Sequence, residues 1–279
     1  MKVFYSPCQS VPEVDSYSPS AGKPEKVVAQ WLELWPEHIS LVEPVPVTPQ
    51  QLALAHDHAY VNDILECRRH NGFGNLSRKV AESLPWTTGS LVSATQYVIE
   101  HGGAACSPTS GFHHARYDKC GGFCTFNGLM VAAQLARPKV ERVGILDCDF
   151  HYGNGTDDII AHLRLRFVEH CTTGRIGGPK DPEAFLEELP TILSGMNPHL
   201  LIYQAGADAH NDDPLGGWMS AQQMRRRDQI VFRFCRQNNV PVVWNLAGGY
   251  QEDFQKVLDL HHATMEECLT AFSEDSGSE

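Results

Sequence analysis

The chain has 279 residues, 42% of them hydrophobic, the composition of a globular protein that can bury a substantial core as one large α/β domain or two small ones. Its formal net charge of −12 argues against nonspecific nucleic-acid binding and is compatible with a cationic substrate. No apolar run is long enough to cross a membrane, and the opening MKVFYSPCQS lacks the apolar stretch of a signal peptide, so a cytoplasmic location without a membrane partner is the expectation.

A short apolar run at residues 3–5 predicts a first strand. Thr48-Pro49-Gln50-Gln51 combines an N-cap, Pro at the first helical position and Gln at N3, which predicts a helix carrying Leu52, Ala55 and Ala59 inward. Leu91, Val92, Thr95, Val98 and Ile99 recur at helical spacing, and Gly102-Gly103 closes that helix. A strand at 104–107, a helix near 126–136 and a strand at 143–146 follow; helices near 182–194, 220–237 and 252–271 then alternate with strands at 200–203 and 240–245. Such alternation reads as an α/β fold, a three-layer αβα sandwich with a mainly parallel sheet. The nine cysteines are scattered. Cys120 and Cys124 have no second pair nearby, which speaks against a zinc knuckle and for reduced, mostly buried thiols. Small and acidic residues at 273–279 predict a frayed tail.

Four of the strands are each followed by unusual polar residues. PTSGFHHA brings His113 and His114, and LDCDFHYGNGT brings Asp147, Asp149 and His151. QAGADAHNDDPLGG brings Asp208, and LAGGY brings Tyr250. Each has a plain reading by itself: surface histidines, a turn aspartate, a packed tyrosine in a tight turn. In open α/β sheets, however, ligands bind beyond the carboxyl ends of the strands. Four segments delivering His, Asp and Tyr to one edge point to an enzyme site.

Asp147, Asp149 and His151 recur at every second position, so an extended backbone points all three to one side. Two carboxylates and one imidazole suit a borderline ion such as zinc, with positions left open for water and substrate. Asp149, His151 and Asp208 can supply those three ligands, and Asp147 can orient a histidine or help to hold a second, harder cation.

At this point the chain resembles the histone deacetylase family of the arginase–deacetylase fold, over nearly its whole length. SGFHHARYDKCGGFCTFN, LDCDFHYGNGT, AGADAHNDDPLGG and AGGY carry the likeness. RRRDQIVFRFC followed by VPVVWNLAGGYQ looks closest to the small class IV members and their compact bacterial relatives. The resemblance implies a single deacetylase domain over residues 1–272. It implies one catalytic zinc, with ferrous iron as an alternative, held by Asp149, His151 and Asp208. It pairs His113 with Asp147 and His114 with Asn154, and makes Tyr250 the hydroxyl that polarises the substrate carbonyl. It also implies a structural potassium beside Asp147, Asp149, His151 and nearby carbonyls. In that reading His114 moves the proton, while His113 supplies positive charge and orientation.

The spacing separates the chain from the two-manganese arginase branch. Gly153 and His210 stand where that branch carries further carboxylates, so one catalytic metal is expected, with His210 at the rim. Gly122 and Phe123 match the glycine and first aromatic wall of the family's acyl-lysine tunnel. The second aromatic wall has no counterpart in the shortened segment 171–182, which leaves Phe73, Trp86 and Trp218 as candidates to fill it. Glycine-rich 174–178 is expected to be a shortened turn rather than a phosphate loop. Leu215 stands where polyamine-preferring relatives can carry an acidic gatekeeper. The expected substrate is thus an acylated lysine or a small acylated amine. An acetylpolyamine amidohydrolase and a catalytically silent acyl-ligand binding module are the alternatives, and no oligomeric state is implied.

Overall fold

The computed structural model describes residues 1–14, 16–174 and 181–273. In chain order the elements are β1 (Lys2–Phe4), α1 (Lys23–Leu34), β2 (Ser40–Val42), α2 (Pro49–Leu52), α3 (His58–Leu65), α4 (Arg78–His101), β3 (Ala104–Ser107) and α5 (Gly128–Ala136). They continue with β4 (Val143–Asp147), α6 (Asn154–Leu163), β5 (Val168–Thr172), α7 (Pro182–Met196), β6 (Leu200–Gln204), α8 (Ala221–Gln237), β7 (Val242–Asn245) and α9 (Phe254–Ser273). The seven strands form one sheet in the order β2-β1-β3-β7-β6-β4-β5, and every neighbouring pair is parallel. The expected α/β sandwich is therefore present, with a wholly parallel sheet.

The two-residue period of the strands divides the core into two layers. Leu146, Leu201, Tyr203, Val242 and Trp244 face one cluster, packed against α1, α7, α8 and α9. Val143, Ile145, Leu200, Ile202 and Val243 face the other, packed against α2 to α6. Burial on both faces explains why these strands read as continuous apolar runs.

At Thr48 the expected capping box forms: its hydroxyl accepts from the Gln51 N–H at 3.2 Å and its own N–H donates to Gln51 Oε1 at 2.8 Å. The helix that follows is shorter than expected. It stops at Leu52, and α3 starts afresh with Asp57 as N-cap, so Leu52 and Ala55 are buried but Ala59 is exposed. The break has a physical cause in His56, wholly buried, whose Nδ1 lies 2.9 Å from the Arg116 carbonyl while its Nε2 accepts from the Asn127 N–H at 2.8 Å. The helix closed by Gly102 is as expected, with Gly102 at φ +72°. α9 runs through Ser273, so the predicted tail begins inside a helix, and 274–279 lie outside the described residues. The glycine-rich stretch also falls outside them from 175 onward.

Candidate active site

The strands whose C-terminal ends carry the predicted residues, β3, β7, β6 and β4, are adjacent in the sheet. That adjacency gathers four separate loops into one chamber. The pleat accounts for less of it than the sequence led one to expect, because β4 ends at Asp147. Beyond it two aspartate turns take over: the Asp149 N–H donates to Asp147 Oδ1 at 3.2 Å, and the His151 N–H to Asp149 Oδ1 at 2.9 Å.

Asp149, His151 and Asp208 each offer a ligand atom within 4.8 Å of the others. His151 Nδ1 lies 3.1 Å from Asp149 Oδ1 and 2.9 Å from Asp208 Oδ2. The remaining carboxylate oxygens accept backbone N–H groups, Asp149 Oδ2 from Gly248 at 2.9 Å and Asp208 Oδ1 from Phe150 at 3.1 Å. Both acids are buried and held in orientation. Gly248 has no room for a side chain, since a Cβ there would stand 2.5 Å from Asp208 Oδ2.

The charges are strained in a way a divalent cation relieves. Burial and the charge of Asp149 push Asp208 up to about 7. Hydrogen bonds to Asp149 and Asp208 raise His151 to about 10. Burial opposes ionisation of Asp149, but the charge of His113 and the bond from His151 outweigh it and hold its carboxyl below the usual range. One imidazole nitrogen and two carboxylates, desolvated and converging, fit a metal that displaces protons on binding.

Two imidazoles stand beside this triad with ring centroids 4.1 Å apart. His113 Nδ1 lies 2.7 Å from Asp147 Oδ2, and its Nε2 is 3.6 Å from Asp149 Oδ1. Burial works against its protonation, but the charges of Asp147 and Asp149 prevail and raise it to about 9. His114 Nδ1 lies 2.9 Å from Asn154 Oδ1, a neutral partner. Burial and the charge of His113 push His114 down to about 4. Asn154 opens α6, whose first N–H groups, from Gly155 and Thr156, donate to the His113 carbonyl at 2.8 and 3.1 Å. That helix was not foreseen, and it fixes the backbone of both histidines.

Gly122 and Phe123 line the chamber beside His113 and Tyr250. Gly122 sits at φ +50°, and a Cβ on it would stand 2.3 Å from His114 Cδ2, so only glycine lets the imidazole lie there. Phe123 holds φ +63°, a strained backbone at the wall itself. Its ring packs 6.0 Å from Tyr250, which stands edge-on to His151 at 6.2 Å. Burial, then Asp149 and Asp208, push the Tyr250 phenol well above its ordinary range, so it stays a hydrogen-bond donor. Leu215 is 39% exposed at the rim. His210 accepts from the Asp212 N–H through Nδ1 and stands outside the ligand triad. Of the candidate wall residues, Phe73 packs 6.3 Å from Phe123, but Trp218 packs against Phe185, and Trp86 lines neither the chamber nor the cavity behind Phe123.

Further contributors escaped the sequence reading. Asp213, in the DDP turn, accepts the Tyr250 N–H at 2.8 Å and the Leu215 N–H at 3.0 Å, tying the Tyr250 loop to the segment that carries Leu215. Lys23 is buried and donates to the carbonyls of Ala247 at 2.6 Å and Gly248 at 3.2 Å; burial lowers it to about 8 although Asp208 and Asp149 favour its charge. His170, on β5, places Nδ1 2.7 Å from Asp157 and Nε2 3.8 Å from Asp147 Oδ2, an ion-pair distance rather than a hydrogen bond. Asp147 is thus flanked by two imidazoles, with Gln204 Nε2 donating to its other oxygen at 2.8 Å. Ser18 and Ser20 line the chamber from the segment before α1. The DDP turn and the His170 imidazole were visible as residue types; their destinations were not.

A profile of the histone deacetylase domain matches residues 22–167 and 176–265. Histone deacetylase 2 of Arabidopsis thaliana is 28% identical over 258 residues, covering 80% of this chain and 66% of that protein, so the chain spans slightly under two thirds of its length. Acetylpolyamine amidohydrolase of Burkholderia pseudomallei is 40% identical over 77 residues, covering 26% of this chain and 22% of that one. Among solved structures, the HD domain of HDA15 superposes with a TM-score of 0.81 over 97% of this chain and 89% of that one, at 19% identity. Acetylpolyamine aminohydrolase from Burkholderia pseudomallei does so with a TM-score of 0.75, over 98% and 99%, at 20% identity. With its fold, its site and a domain profile spanning most of its length in agreement, the chain belongs to the histone deacetylase family.

Proposed function

We propose that the protein is a zinc-dependent amidohydrolase that removes acetyl, or a somewhat longer acyl group, from the side chain of lysine. The reading rests on two imidazoles in contact whose proton affinities are driven apart, His113 up to about 9 and His114 down to about 4, beside a buried Asp-His-Asp triad. Pairs pushed apart in this way assign acid and base roles.

Asp149, His151 and Asp208 would hold the zinc, with ferrous iron as the alternative. Bound there, such an ion supplies Lewis acidity, lowering the pKa of water to ~7 and drawing charge from a carbonyl oxygen. His114 does the proton work. Its Nδ1–H donates to Asn154 Oδ1, which leaves the Nε2 lone pair to accept the proton of the attacking water and return it to the leaving amine. His113 stays cationic on Asp147 and steadies the negative charge that develops next to it. The Tyr250 hydroxyl donates to the substrate oxygen as that oxygen gains charge; loss of one such donor costs ~10²–10³-fold in turnover. A potassium ion would find oxygens gathered behind the site, where the Thr173 hydroxyl lies 2.9 Å from the Asp149 carbonyl and the Thr173 N–H 3.0 Å from that of Asp147. A cavity of about 50 Å³ behind Phe123 shares Ser20, Phe123 and Cys124 with the chamber and supports an acyl group longer than acetyl.

The test compares kcat/KM of zinc-loaded protein on acetyl-lysine peptides and N-acetylated polyamines, with metal content measured alongside. Peptide preference, one zinc per chain and near-complete loss in Tyr250→Phe are expected. Near-normal turnover by the Phe variant would sink the role of Tyr250. The acidic net charge of −12 favours polyamines as a second reading, and a clear polyamine preference would establish it. Bound zinc without turnover on any acylated amine would instead mark a silent binding module.

A further inference from the structure

Tyr17 is the one aromatic ring among the described residues left mostly in water, at 64% exposure. Its ring is stacked on Tyr250, with centroids 6.5 Å apart and planes 25° from parallel. Tyr250 in turn meets Phe123, and Phe123 meets Phe73. Four rings therefore form a continuous run of contacts, Tyr17–Tyr250–Phe123–Phe73, whose two middle members line the chamber. Tyr17 is held in place rather than hanging free. The Ser18 N–H next to it donates to Ser16 Oγ at 3.2 Å, the Ser20 N–H to Ser18 Oγ at 3.3 Å, and the Val11 N–H to the Ala21 carbonyl at 2.7 Å. On the far side of Tyr17 and Tyr250 a groove of about 330 Å³ leads away from the mouth, lined also by Pro19, Lys26, Gln251, Glu252 and Phe254. Lys26 Nζ already lies 4.8 Å over the Phe254 ring, and with Glu252 the groove carries one charge of each sign. A groove so furnished favours an uncharged chain over a polycation.

We propose that Tyr17 is a specificity-determining residue: its open face packs on the methylene stem of an acyl-lysine whose flanking peptide main chain lies in the groove along Tyr17 and Phe254. This rests on the amidohydrolase reading and goes beyond it, because it assigns an aromatic wall to the N-terminal segment, where the shortened segment 171–182 carries no aromatic residue.

The experiment is calorimetric titration of a short peptide with one internal acetyl-lysine into zinc-loaded Tyr250→Phe protein, which keeps the stacked ring and slows turnover. The same titration is run with Tyr17→Ala or Tyr17→Phe added. Burial of one or two methylenes against a ring predicts a Kd about four- to fifteenfold weaker with Ala, and within about twofold of the parent with Phe. Equal Kd in all three proteins overturns the proposal, as does a Phe variant as weak as Ala or a parent that does not bind the peptide. An N-acetylated polyamine that binds the parent tighter than the peptide overturns the groove assignment. Peptide binding that responds to Tyr17 in a protein whose wild type never turns over would sink the hydrolytic reading and leave the wall standing.

Discussion

Replacing Asn154 with Asp tests the division of labour between the two histidines. The site contains its own reference: His113 faces a carboxylate at 2.7 Å and is raised to about 9, whereas His114 faces an amide at 2.9 Å and is lowered to about 4. Asn154→Asp gives His114 a carboxylate too. Asn154 is partly exposed, and Asp149 contributes to the His113 value, so only part of the gap is recovered, about one to three pKa units. The base works in its neutral form. A raised pKa keeps it protonated, hence inactive, to higher pH, and the acid limb of kcat/KM moves up. With a shift of about two units, the rate at pH 5 falls about tenfold while the rate at pH 8 is unaffected by titration. The assay is kcat/KM on an acetyl-lysine peptide from pH 5 to 8 at saturating zinc. A limb that stays in place, or moves down, would refute His114 as the base.

Two further outcomes follow from residues beneath the site. His170→Asn retains polarity but cannot bridge Asp157 and Asp147, so kcat should fall about tenfold with KM nearly unchanged, as for other partners that orient a catalytic group. Turnover within twofold of wild type would show that Asp147 needs no second imidazole. Lys23 titrates near 8 when folded and near 10.5 when unfolded, so across that window the unfolded chain holds the extra proton and folding becomes more favourable as pH rises. The full gain is about 3 kcal/mol, from roughly 2.5 units at 1.36 kcal/mol each. Urea unfolding of the metal-free protein at pH 8 and pH 10 should show wild type gaining about 2 kcal/mol relative to Lys23→Met over that interval, since His113 and His151 lose stability there in both proteins alike; the same change in both proteins would refute the assignment.

What could be read in advance follows from where the determining interactions lie. Asp149, His151, Asp208 and Tyr250 were legible because each closely follows an apolar run, and a parallel sheet sends all such ends to one edge. β5 was not, because as an edge strand it alternates Val168 with Glu169 and His170 and offers no continuous apolar signal. Ala59 was misplaced because the break before it is set by the His56 bonds to Arg116 and Asn127, which are remote in sequence. Tyr17, Ser18 and Lys23 reach the chamber only through the packing of the N-terminal segment, which no local pattern records.

The buried pair Arg227 and Asp228 shows how the ligand loops keep their shape. Arg227 Nη1 donates to the carbonyl of Gly206 at 3.2 Å and reaches that of Cys148 at 3.4 Å, one residue before Asp149 and two before Asp208. Asp228 pairs with Arg227 and accepts from Tyr203 and Thr264, which fastens the assembly to β6 and α9. One guanidinium on α8 therefore ties the two acid-bearing loops together from behind, while the Phe150 N–H joins them at the site, so a change at Arg227 reaches both acids at once.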